Sequence, residues 1–207
     1  MNELSLLDYL LIAFSLAFSW RLYQSAHPPA GIENPAFQPA AGVKAAGKPV
    51  PPPPAEQTLD AILKRIVVAC RYPDIDAFMA GAKQVYEMVT AEFAAGRLGA
   101  CAHLLSEAVG EDLAEAIIAR GERGETAELM FIGFKDVTIL DAGLDGSRAW
   151  IAVCFVAELV SFTRNSAGAV ISGSPDQVAI TSEIWTFERD LAAPGPDWLL
   201  VATEAGD

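Results

Sequence analysis

Few side chains in this 207-residue chain are of types that do chemistry, and their spacing limits what that chemistry is. His103 is the sole histidine outside a proline-rich stretch that holds His27. For general acid–base work it would have to converge with a carboxylate such as Asp136 or Glu158 within hydrogen-bond reach of a substrate. Its neighbours are alanines and leucines, which favours a packing or surface role. Cys70, Cys101 and Cys154 are odd in number, far apart and set in apolar runs, so they read as small hydrophobes in a reducing compartment rather than a disulfide framework. The Cys and His residues do not supply a zinc ligand set. A phosphate-binding loop and a serine nucleophile elbow are also missing. The residues therefore point to a chain with no catalytic group, cofactor or metal.

Charge narrows the partners. The formal net charge is -13, and residues 1–55 contribute nothing to it: three bases (Arg21, Lys44, Lys48) balance three acids (Glu3, Asp8, Glu33). The remainder holds 11 bases against 24 acids. Such a surface repels phosphate backbones, which argues against nucleic-acid binding.

The first 23 residues read as a membrane anchor. Leu4 to Trp20, including Leu10 and Phe14, is apolar apart from three serines and Asp8, and Arg21 follows at once. That is near the lower end of the ~17–25 residues of a spanning helix. Trp20 and Tyr23 suit the headgroup interface, where Arg21 can snorkel. A signal peptide would carry bases before the apolar run, where this chain has Glu3. The bases on the C-terminal side place the rest of the chain in the cytoplasm, beneath a bacterial inner membrane. Residues 24–55 are rich in proline, alanine and glycine, with Pro51 to Pro54 in a row, and read as a disordered spacer.

Residues 56–207 form the folded domain, with helices first and strands after. Thr58 caps a helix with Leu59, Ile62, Leu63, Ile66, Val67 and Cys70 at helical spacing, closed by Tyr72-Pro73. Its other face carries Lys64, Arg65 and Arg71, a basic cluster suited to face the membrane. Asp74 or Asp76 caps a second helix whose inner face holds Phe78, Ala82, Val85, Val89 and Phe93, ended by Gly96. A shorter helical stretch carries Leu98, Leu104 and Leu105, and another runs from Glu111 to about Gly121. Beyond Thr126 the period is that of strands: 128–140, 148–163, 169–172, 177–189 and 197–203. Helices followed by antiparallel strands predict an α+β domain, helices packed on one side of the sheet.

One strand is apolar on both sides. Ile151, Val153, Phe155 and Leu159 share one face, and Trp150, Cys154, Val156 and Val160 share the other. A sheet with one wet face alternates apolar with polar, so the second face is a candidate partner surface, a dimer contact, or ordinary core. Phe78, Phe93, Trp185 and Trp198 are expected in the structural core, and Glu188 and Arg189 on the surface.

The segments Phe78-Met79-Ala80-Gly81-Ala82-Lys83-Gln84-Val85-Tyr86-Glu87, Arg164-Asn165, Gly173-Ser174-Pro175, Trp185 to Asp190 and Pro196 to Thr203 carry a resemblance. In order and spacing they resemble the Tim44-like domain family, named after the membrane-bound anchor of the mitochondrial import motor. The likeness runs from about Leu59 to Thr203 and leaves out the first fifty residues. It implies a nuclear-transport-factor-two-like cone, a curved sheet wrapped around helices with an apolar pocket that can hold lipid. It also implies docking at the inner membrane and recruitment of other membrane proteins in translocation, assembly or quality control. Motor binding is not carried over, because a proline-rich spacer stands where the mitochondrial relative has its motor-binding region. Two other readings stand beside the scaffold: a ligand-binding or enzymatic cone on a leash, and a membrane tether for ribosomes, against which the acidic charge counts.

Overall fold

The computed structural model describes residues 58–71, 74–193 and 198–206. Helix α1 spans Leu59–Cys70, with the Thr58 hydroxyl accepting from the Ala61 amide at 3.3 Å. It ends in a left-handed residue, Arg71, with φ 53. Helix α2 spans Ile75–Ala94, and Asp74 caps it by accepting from the Ala77 amide at 2.7 Å. A turn of 3-10 helix covers Ala102–Leu104, and α3 covers Glu107–Glu122 with Ser106 as its cap. Five strands follow: β1 Thr126–Asp145, β2 Arg148–Arg164, β3 Val170–Gly173, β4 Ala179–Asp190 and β5 Leu199–Ala205.

All strand pairs are antiparallel, in the order β1-β2-β4-β5, with β3 beside β2. The long edge strand β1 shifts register at 131–133, 134–136 and 139–141. Such irregularities bend an edge and discourage pairing with foreign strands. Helices α1 and α2 lie against β1, while α3 and the 3-10 turn lie against β5. The α+β architecture with helices on one side of an antiparallel sheet is thus as the sequence predicts.

The stretch around Leu98–Leu105 departs from expectation. It is mostly irregular, because Leu105 must run alongside β5, where it bridges Leu200 while the Ser106 amide donates to the Leu200 carbonyl at 2.9 Å. The following helix starts at Glu107, four residues earlier than its apolar spacing indicates, because Ser106 supplies the cap.

The core lies between α2 and the helical face of the sheet. Tyr86 on α2 is fully buried, and its ring meets Phe155 and Trp185 at 4.8 Å each and Phe134 at 5.4 Å. One side chain therefore touches β1, β2 and β4. Phe78 joins α2 to Phe187 at 5.8 Å and to Trp198 at 4.9 Å. Of the four expected core aromatics, Phe78 and Trp185 are buried, while Phe93 and Trp198 are half-buried. Phe93 lies at the end of α2, where Arg120 covers its ring at 5.2 Å and donates to the last carbonyls of the helix. Arg189 is not merely a surface residue: its Nη1 donates to the Cys70 carbonyl at 3.0 Å and ties β4 to the end of α1.

Among the described residues no helix is long and apolar enough to cross a membrane. The expected anchor, with Leu4, Leu10, Phe14, Trp20 and Arg21, lies outside those residues, as does the 24–55 spacer.

Candidate functional site

The two faces of β2 differ in what covers them. Ile151, Val153, Phe155, Ala157 and Leu159 are buried against the helices. Trp150, Cys154, Val156 and Val160 lie on the opposite face and are all half-buried. Their cross-strand partners extend that face: Met130 beside Val160, Ile180 beside Glu158, Ser182 beside Val156 and Ile184 beside Cys154. Met130 is 66% exposed and Ile180 56%. The structure thus brings the four residues singled out from the sequence onto one face and adds Met130, Ile180 and Ile184. An exposed aliphatic surface of this kind marks a contact site more often than a solvated one.

The charges on this face are already matched in part. Lys135 lies 3.4 Å from Glu158, and Arg164 lies 3.0 Å from Glu128. Asp136 accepts from the Thr138 hydroxyl at 2.7 Å. Asp136 and Glu158 both sit on this outer face, whereas His103 is exposed on the 3-10 turn beside β5, at the other edge of the sheet. The three do not converge.

The second location is the outward side of α1. Lys64, Arg65, Val68 and Ala69 with Leu144 line an open groove of ≈ 410 Å³. Val68 is 77% exposed. Lys64 pairs with Asp60 at 2.7 Å, both well exposed, an arrangement that contributes little to stability. Arg65 and Arg71 are exposed, and their guanidinium groups have no partner among the described residues. Lys64, Arg65 and the exposed Val68 therefore share one side of α1, and Arg71 follows at its C-terminal cap.

The third location is inside. On β4 the positions facing the helices read Thr181, Glu183, Trp185 and Phe187. Glu183 accepts from the Trp185 indole at 2.9 Å and from the Tyr86 hydroxyl, which also lies 3.4 Å from Thr181 Oγ1. Burial pushes the Glu183 carboxyl up, and the two donors pull partly the other way. The sequence reading missed Glu183 and Tyr86. The available signals were an acid in phase with Trp185 and Phe187, and the helical spacing of Tyr86 with Ala82 and Val89. Glu183 is half-buried beside the ring cluster and has two donors, so it is a satisfied polar group at the margin of the core. Burial also raises the thiols of Cys70 and Cys101, keeping them from the reactive thiolate form. Among the described residues no group of three His, Cys, Asp or Glu side chains is placed to hold a metal.

The model of the Tim44-like domain family matches residues 73–205, from just ahead of α2 to the end of β5. The chain belongs to the Tim44-like family. The matched segment contains the whole sheet, α2 and α3; α1, with its basic face, precedes it. Tim44-like domains are membrane-associated modules of protein translocation, and that is the coarse role membership gives this chain. A search of curated protein sequences finds no match. A solved structure similar to this chain is the intermembrane space region of chloroplast protein ARC6. It has 10% sequence identity, covers 61% of this chain and 94% of that one, and gives a TM-score of 0.41.

Proposed function

We propose that this Tim44-like protein is a membrane-tethered, non-enzymatic scaffold of the bacterial inner membrane that recruits other membrane proteins during translocation, assembly or quality control. The observation that carries it is the half-open apolar sheet face of Trp150, Cys154, Val156 and Val160, continued by Met130 and Ile180, in a domain of a translocation family. The run Leu4–Trp20 supplies the single-pass tether, and the bases after it set the domain on the cytoplasmic side. The α1 face with Lys64, Arg65 and Arg71 then turns towards anionic headgroups, leaving the sheet face for proteins.

The test is mutational. Val156→Asp and Val160→Asp in the full-length chain should abolish co-purification of its membrane partners under mild detergent. Their thermal unfolding, followed by near-ultraviolet circular dichroism, should shift by only a few degrees, as for surface substitutions. If either variant melts as early as a core-aromatic deletion, this face is core and the reading falls.

A further inference from the structure

The two edges of the sheet are finished differently. At the β5 edge Leu105 bridges Leu200, the Ser106 amide donates to the Leu200 carbonyl at 2.9 Å, and α3 lies alongside. At the outer edge of β1 no strand pairs among the described residues. The faces of β1 are thinly covered as well, since Ala142 is the one buried residue of this 20-residue strand. Register shifts at 131–133, 134–136 and 139–141 interrupt most of the open edge. Thr126–Phe131 comes before the first shift and pairs one for one with Arg164 to Leu159 of β2. Residues of an antiparallel strand alternate in the side to which they direct N–H and C=O, so half of this window presents both groups away from β2.

The chemistry of that edge specifies its occupant. Outward amides and carbonyls in a row are matched by another extended backbone; a helix has already used its own groups internally, and lipid offers none in that spacing. Side chains define the strand further. Met130 and, in the first bulge, Ile132 are exposed on this edge. On the helix face Leu129 and Phe131 are only half-buried, although the Phe131 ring meets Phe134 at 4.8 Å. An added strand with alternate apolar residues would cover these side chains. Glu128 lies in the same window, exposed and 3.0 Å from Arg164. Beyond residue 55 the chain holds 24 acids against 11 bases, a field that draws basic segments and repels a second copy.

We propose that Thr126–Phe131 is a docking edge that takes an extended, basic-flanked segment of a partner polypeptide as an added strand beside β1. The partner's backbone pairs with the outward groups of β1, and its alternate apolar side chains lie against Leu129, Met130 and Phe131. The proposal rests on the scaffold reading and specifies how the partner is held. The shift after Phe131 limits the added strand to about the usual strand length of 5–6 residues, which keeps the edge from templating long aggregates.

Short fluorescent peptides of alternating valine and threonine, flanked by lysines or by glutamates, are the probes, titrated against the full-length chain in mild detergent. The lysine-flanked peptide should bind tighter, with an affinity that falls as salt is raised. N-methyl groups on two adjacent central residues keep its side chains but block both of its edges, and should weaken binding about tenfold. Residue-resolved hydrogen exchange should show fast exchange at alternate amides of residues 126–131 in the free chain, slowed when the peptide is bound. Ala127→Pro and Glu128→Pro alter adjacent residues, one of which directs its N–H outward. That variant should melt within a few degrees of wild type and lose the peptide, because its ladder with β2 stays intact. Equal binding of the N-methylated peptide, or amides whose exchange the peptide does not change, overturns the proposal. So does a dimer in light scattering that the outward proline dissolves, which would assign the edge to a second copy. If the outward proline variant keeps the membrane partners that Val156→Asp loses, the docking edge fails and the scaffold reading stands.

Discussion

Removing the Tyr86 hydroxyl should cost stability by an amount that grows with pH. Tyr86→Phe keeps the ring and its contacts with Phe155, Trp185 and Phe134. It deletes the donor to Glu183 and the contact with Thr181. At low pH Glu183 is neutral, and the loss is that of an ordinary buried hydrogen bond, about 0.5–1.5 kcal/mol. Once Glu183 is ionised the lost bond is one to a charge, about 1.5–3 kcal/mol. The direction follows from linkage. The carboxyl is raised in the folded state by burial, so its contribution to stability is fully present below the ordinary carboxylate range and is lost as pH rises through the folded value. Tyr86 favours the ionised form, so Tyr86→Phe pushes the folded value higher and enlarges the loss at neutral and alkaline pH. Glu183→Gln, neutral at every pH, should flatten this dependence and be at least as stable as wild type under alkaline conditions. Urea unfolding of wild type, both single variants and the double variant, on either side of the raised carboxyl range, measures each quantity and their coupling. A Tyr86→Phe cost that does not change with pH, or a Glu183→Gln variant that retains the wild-type pH dependence, would refute the assignment of this network.

The two tryptophans should separate. Trp185→Ala deletes a buried ring and leaves Glu183 short of a donor, for a loss of about 3–5 kcal/mol, whereas half-buried Trp198→Ala should lose about half as much in the same unfolding assay. Arg71→Gly should stabilise by about 0.5–1 kcal/mol, because it relieves a left-handed backbone that disfavours side chains; an earlier thermal midpoint would contradict that. In liposome flotation, anionic vesicles should recover the wild-type domain better than a Lys64/Arg65/Arg71 triple glutamate variant. Each base near the surface is worth about 1 kcal/mol, so equal recovery would remove the membrane-facing role.

What the sequence determined by itself is what depends on neighbours along the chain. Thr58 and Asp74 can be read as caps because the donors they satisfy lie three residues on, and the change from helical period to strand period near Thr126 is written in consecutive side chains. The family motif is legible for the same reason, since its segments keep their order and spacing. Tertiary structure decided everything that requires knowing what lies across a gap. Both faces of β2 are apolar, so alternation could not say which one meets the helices; packing under Tyr86 assigns the Ile151 and Phe155 side. Leu98–Leu105 has apolar spacing close to helical, yet the bridge to Leu200 holds most of it irregular. Arg189 reads as a solvated strand end and instead binds a carbonyl 119 residues earlier. The buried row of Ala152, Thr186 and Ala202 joins three distant segments whose small side chains align only when β2, β4 and β5 pair in register. Side-chain period is a local property of the backbone, whereas burial is a property of the partner it meets, and only the folded chain supplies that partner.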